Sequence, residues 1–220
     1  MNGTPLQASA VIARHDACLA RADWPASDVA LREAGAEHEV AHWLVANHRF
    51  NSLLWAEEDL ARRTQVGSDE IAANKRAIDG YNQARNDATE RVDELLLMAL
   101  GLVDPDSARS DAPTARVPAG ARLNSETAGA MVDRMSIMAL KIHAMRAQTL
   151  RQDVDDAHRA SSAVKLERLL QQRADLGACL DQLLADCQAG RAYFKVYRQF
   201  KMYNDPRFNP ALVAERARQG

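Results

Sequence analysis

A chain of 220 residues is long enough for one large helical domain. Aromatic residues make up only 5% of it and glycine is sparse, while alanine, leucine, arginine and the acids dominate, a composition that favours helix and excludes a sheet-rich fold. The formal charge of −2 argues against nucleic acid or an anionic membrane as partner, and three scattered cysteines without a Cys-x-x-Cys pair suit a reducing cytoplasm.

Leu6 to about Arg21 reads as a first helix, ended by Trp24-Pro25, with Ser27 or Asp28 able to cap the next. A long helical region then runs to about Thr64, with a break near Gly35. Its Glu39-x-x-His42 spacing suits a di-metal bundle, but the chain holds no second Glu-x-x-His. The stretch from Asn47 to Arg63 carries two arcs on a helical wheel. Phe50, Leu53, Leu54 and Leu60 form an apolar one; Asn47, Asn51, Trp55, Glu58 and Arg62 form a polar one. Asparagine is a poor helix former, so its recurrence here implies that its amide has a partner.

Gly67-Ser68-Asp69 turns into a third helix, Asp69 to about Gly101. Along it Lys75, Asp79, Asn82, Asn86 and Asp93 share one side. Between Ile78 and Val92 no aliphatic residue larger than alanine occurs. A helix normally gains its stability by burying an apolar stripe, and this one gives that stripe up for several turns. Antiparallel packing on Asn47–Arg63 would set the two polar windows near each other.

Gly101 to Leu123 holds three prolines and no periodicity, so it is expected either to be disordered or to cover something, with its composition favouring disorder. Asn124 or Ser125 is the expected cap of a fourth helix reaching to about His158. Met131, Met135, Met138, Ile142 and Met145 form its core stripe, and Asp133, Arg134 and Lys141 a charged patch. Ser161 is the expected start of a leucine-rich fifth helix. Arg191 to Tyr203 interleaves bases with aromatics and reads as a last helical stretch, stopped by Asn204-Asp205-Pro206. Residues 191–207 carry five bases and one acid, and residues 57–94 ten acids and six bases, so pairing between the two is expected. The fold class that follows is all-α, a bundle of about five to six helices with a long central loop. Residues 1–26 form an N-terminal helix and turn, 27–210 a single bundle domain with loop 101–123, and 211–220 a tail.

Several of these stretches occur together in one family. Leu54-Trp55-Ala56-Glu57-Glu58-Asp59, Lys75-Arg76-Ala77-Ile78-Asp79, Asn82-Gln83-Ala84-Arg85-Asn86-Asp87, Leu123-Asn124-Ser125-Glu126-Thr127, Asp133-Arg134-Met135-Ser136-Ile137 and Gln199 to Pro206 make the chain resemble the bacterial domain of unknown function 4254. It departs from the usual pattern at Ala56, often His there, and at Ala128, often Pro. The resemblance implies no established activity. It implies a companion of cell-surface glycan assembly, encoded near glycosyltransferases, which is association and not mechanism.

The expected site is polar and binds a phosphorylated or nucleotide-linked sugar. Arg62, Lys75, Arg85, Arg134 and Lys141 would grip phosphate, Asn82 and Asn86 would bond hydroxyls, and Trp55 would stack on a ring. Asn124, Ser125 and Asp133 complete the ligand-binding set, and Glu58 or Asp79 is the candidate general base. Glu58, Asp59, Asp87 and Glu90 offer oxygen-only ligation suited to Mg²⁺ or Mn²⁺. Two alternatives stand beside this reading. One is a non-catalytic adaptor of a glycosyltransferase, with the polar windows forming a buried salt-bridge network. The other is a metal-dependent phosphohydrolase, whose Glu-x-x-Glu spacing has only a half-match in Glu90-x-x-Asp93.

Overall fold

The structure, a computed structural model, describes residues 5–199 and 207–219. It is an all-α bundle with seven helices among those residues: α1 (Ala8–Leu19), α2 (Val29–Glu33), α3 (Val40–Ala61), α4 (Ser68–Ala99), α5 (Ala128–Thr149), α6 (Asp156–Gln188) and α7 (Pro210–Gln219). Two antiparallel hairpins, α3–α4 and α5–α6, pack on each other, and α1 lies against α3, α5 and α6. None of these helices is long and apolar enough to cross a membrane.

The core gathers where both hairpins bring their apolar halves. Leu44 of α3 meets Val92 and Leu96 of α4, Met131 and Met135 of α5, and Leu180 and Leu184 of α6. Full burial of one such side chain stabilises by about 1.5–3 kcal/mol. Of the methionine stripe, Met131, Met135 and Ile142 are buried, while Met138 and Met145 are half-buried and Met138 lines a groove against α6. Both long helices end on a glycine. Gly101 (φ +69°) and Gly190 (φ +71°) adopt the left-handed conformation that caps a helix. The following amides reach back, Leu102 to Leu97 O at 2.9 Å and Arg191 to Asp186 O at 2.8 Å. Gly129 is required for a different reason: a Cβ there would lie 2.5 Å from the Thr89 carbonyl, so α4 and α5 could not approach.

Five expectations from sequence differ from the structure. Residues 101–123 form a folded cover, because their backbone finds internal partners: Asp104 N donates to Thr114 O at 2.9 Å and Arg116 N to Leu102 O at 2.8 Å. Leu102, Val103 and Ala108 are buried beneath them. The fourth helix is capped by Thr127, whose hydroxyl accepts from Ala130 N at 3.1 Å, and not by Asn124 or Ser125. Asn124 is occupied elsewhere, its backbone N–H donating to Tyr193 O at 2.8 Å beside a parallel pairing of β1 (Arg122–Leu123) with β2 (Ala192–Tyr193).

The helix expected to run to His158 stops at Thr149, and α6 begins at Asp156 because Asp155 caps it, accepting from His158 N at 2.7 Å. Residues 191–199 are extended rather than helical. Ala192, Phe194 and Val196 are buried in alternation, the period of a strand. The part of that expectation from Phe200 to Pro206 lies outside the described residues. The expected pairing of bases with the acidic window is present at Arg198, which bonds Glu90 at 2.8 Å and Glu94 at 2.5 Å. Its remaining donors hold the Ala108 and Ser110 carbonyls at 2.9 and 3.1 Å, so one guanidinium fastens the extended strap and the cover to α4. The stretch expected as a tail forms α7.

Candidate functional site

The register of α3 on α4 is set by polar contacts. Asn47 Nδ2 donates to Thr89 Oγ1 at 3.0 Å near one end, and Asn74 Nδ2 donates to Glu57 Oε2 at 2.7 Å toward the other. Between them α5 contributes Asp133 and Ser136. Asp133 Oδ1 accepts from the amides of Asn47 and Asn51, each at 2.8 Å. Asn51 Nδ2 also lies 3.1 Å from Ser136 Oγ, which sits 2.7 Å from His48 Nδ1. Asn47, His48, Asn51 and Ser136 are all buried, so the two asparagines of the polar arc have the partners their helical position demands.

A cavity of about 390 Å³ opens over this layer. α3 supplies Asn51, Leu54, Trp55, Glu58, Asp59 and Arg62 to its wall; α4 supplies Asn82 and Arg85; α5 supplies Ile137 and Leu140. Trp55 is 37% exposed, an indole face open to a ring. Arg62 pairs with Glu58 at 3.2 Å at the rim. Arg85 donates from Nη2 to Asn86 Oδ1 at 3.1 Å. Its Nε is buried 3.9 Å from Asp133 Oδ1 and has no hydrogen-bond partner among the described residues. The cavity thus combines an apolar side, one aromatic face, the amide of Asn82, two carboxylates and the guanidinium groups of Arg62 and Arg85.

Six of the residues singled out from sequence therefore meet here: Trp55, Glu58, Asp59, Arg62, Asn82 and Arg85. Asp133 lies beneath them, bonded to the buried asparagines. Asn86 is one bond removed, taking Arg85 on one side and donating to Gln199 Oε1 at 2.7 Å on the other. The others go elsewhere. Lys75 and Asp79 are exposed and pair with each other. Arg134 pairs with Glu126 and, with Lys141, lines a separate groove against α6. Asp133 and Arg134 are consecutive on a helix, hence about 100° apart, and serve different faces. Asn124 Nδ2 donates to Glu126 O, and Ser125 lines a further groove beside Arg122.

The four carboxylates expected to hold a metal ion are not brought together. Asp87 accepts from Gln83 at 2.6 Å and Glu90 is taken by Arg198. Glu90 stands at the level of Asn47, about eleven residues or ~16 Å of helix rise from Glu58. Among the described residues no group of three His, Cys, Asp or Glu side chains is placed to hold an ion. Of the four, only Glu58 and Asp59 line one cavity, while Asp87 and Glu90 stand apart from it. His42 faces the Gly35 carbonyl at 3.2 Å, and its pairing with Glu39 leads nowhere either.

Sequence reasoning placed Asp93 on the polar window, but it is buried at the start of α5. Its Oδ1 accepts Gly129 N at 2.6 Å. Burial pushes its pKa up to about 7, against the bonds from Thr127 and Gly129 that favour the charged form. Ser136 and Thr89 were missed, because a lone hydroxyl in a methionine-rich or charged helix gives no periodic signal.

The family model described as a protein of unknown function (DUF4254) matches residues 41–196. The chain belongs to this family. The DUF4254 span opens at the start of α3 and closes at Val196, so it holds every residue of the cavity wall and leaves α1, α2 and α7 outside. No curated protein and no solved structure matches the chain.

Proposed function

We propose that the cavity between α3, α4 and α5 binds a phosphorylated or nucleotide-linked sugar, in a cytoplasmic step of cell-surface glycan assembly. The observation that carries this reading is Arg85, a partly exposed guanidinium on the cavity wall, held in place by Asn86 and 3.9 Å from Asp133. Guanidinium groups bind phosphate through paired, charge-assisted hydrogen bonds. Around it the exposed Trp55 suits a sugar or base ring, and Asn82 presents its amide to hydroxyls. Glu58 lines the same wall, paired with Arg62, and is the carboxylate assigned to take a proton from a bound hydroxyl. Asp79, paired with Lys75 outside that wall, is not in reach of the role.

A second reading, a non-catalytic adaptor docking on a glycosyltransferase, is favoured by a different observation: Arg198, Glu90, Glu94 and Arg91 form a largely buried ion network. Thermal unfolding against UDP-glucose, glucose 1-phosphate and inorganic phosphate separates the two. A ligand at about 100 times its Kd stabilises by ~2.7 kcal/mol, a raised midpoint that is easily read. Such a shift, lost in Asn82→Ala, supports the cavity; unchanged midpoints with all three probes turn the reading to the adaptor.

A further inference from the structure

The cavity does not use the molecule's most enclosed titratable groups. His15 of α1 and His48 of α3 stack with ring centroids 4.4 Å apart, and Trp24 stacks on the other side of His48 at 5.3 Å. His15 is 1% exposed and His48 is fully buried. Both ring nitrogens of His15, and Nε2 of His48, have no hydrogen-bond partner among the described residues. Two imidazoles face to face at this distance can be held only while both are neutral, since a proton on either would bring an unsolvated charge into the stack.

The surroundings offer that charge no compensation. From α6 comes Arg173, itself a cation, whose Nη1 donates to Asp16 of α1 at 2.6 Å. From α5 comes Ser136 and, one turn away, Asp133, whose carboxylate is already held by Asn47 and Asn51. On α1 the next turn carries Cys18, a thiol that burial raises to about 11. From α3 there is His48 itself. Burial and the charges of His48 and Arg173 hold His15 well below the ordinary histidine range. Burial lowers His48 to about 3, partly offset by the backbone of His15.

Few other polar contacts hold α1. Ala8 N donates to Asp181 Oδ1 at 2.8 Å, and Arg173 holds Asp16. The helix also lies outside the DUF4254 span. We propose that the His15–His48 stack is an acid-sensitive latch, docking α1 on the bundle at neutral pH and releasing it when the medium acidifies. Release frees the ring of His15 to take a proton at its ordinary affinity. It also removes the stacking partner of His48, the residue that holds Ser136 beneath the cavity. The inference stands on α1 and its contacts and does not depend on any ligand.

Amide hydrogen exchange of the full chain, corrected for intrinsic rates, measures the release. If one histidine gains its ordinary pKa of about 6.5 on opening, the opening equilibrium of residues 8–19 rises ~30-fold between pH 7.5 and 5.0. α4 and the first half of α5 stay protected. In His15→Leu that rise disappears. The proposal is overturned if α1 exchange changes less than ~3-fold over this range in the natural chain, or if the rise persists in His15→Leu. Proton-carbon NMR of the histidine rings gives a second check needing no substitution. The His15 and His48 signals must stay neutral while α1 is docked, and titration of either near pH 6.5 with α1 still protected contradicts the latch.

Discussion

Asp93 shows how one buried side chain ties stability to pH with a sign opposite to that of the histidines. Its folded pKa of about 7 lies above the ordinary 3.8, so the folded protein keeps this proton where the unfolded chain has lost it. Its contribution is therefore full below about pH 4 and is lost as pH rises toward 7. His15 and His48 are lowered, so their contribution is present above about pH 6.5 and is lost as pH falls. Across about pH 4–6.5 the two trends offset each other. Asp93→Asn leaves only the histidine trend. Urea unfolding from pH 4.5 to 7.5 is predicted to show a steeper rise of stability with pH in Asp93→Asn, differing from the natural chain by up to a few kcal/mol, on the order of the shift in pKa. Parallel curves for the two proteins would mean that Asp93 ionises freely in the fold.

At the scale of elements, the helices were legible wherever a 3.6-residue period ran uninterrupted, and the extended strap was not. Ala192, Phe194 and Val196 alternate with polar or aromatic residues, a period of two that the spacing of Arg191, Lys195 and Arg198 masks as helical. The cover was illegible for another reason: besides its internal backbone bonds it is fastened by Arg198, about ninety residues away in sequence, and no local pattern reports a partner at that range. Arg198 is thus predicted to hold both elements in place. Arg198→Ala leaves Glu94, 2% exposed, with Arg91 as its remaining ion-pair partner. Breaking a buried pair in this way costs about 3–5 kcal/mol. Limited trypsin digestion checks it: the natural chain should resist cleavage after Arg109 and Arg116, and Arg198→Ala should be cut there first. Equal resistance in both would show that the cover is held by its own contacts.

For the molecule as a whole, the position of the cavity was more legible than the residues that line it. Two polar windows at helical spacing, on helices that must pack antiparallel, were enough to locate the cavity, and Trp55, Arg62, Asn82 and Arg85 meet there. Residues assigned by chemistry rather than by face went astray. Lys75, Asp87 and Glu90 are charged and near in sequence, but Lys75 is paired with Asp79, Glu90 with Arg198, and Asp87 takes a hydrogen bond from Gln83. Arg134 shares a helix with Asp133 without sharing its side. The central claim is that Arg85 gives the cavity its affinity for phosphate. The most direct test is calorimetric titration of UDP-glucose into the natural chain and into Arg85→Gln, with thermal midpoints recorded for both. A charge-assisted hydrogen bond contributes about 1.5–3 kcal/mol, so affinity is predicted to fall at least ~10-fold in Arg85→Gln while the unliganded midpoint stays within a few degrees. Binding of equal strength in both proteins, or no binding to the natural chain, would contradict the account.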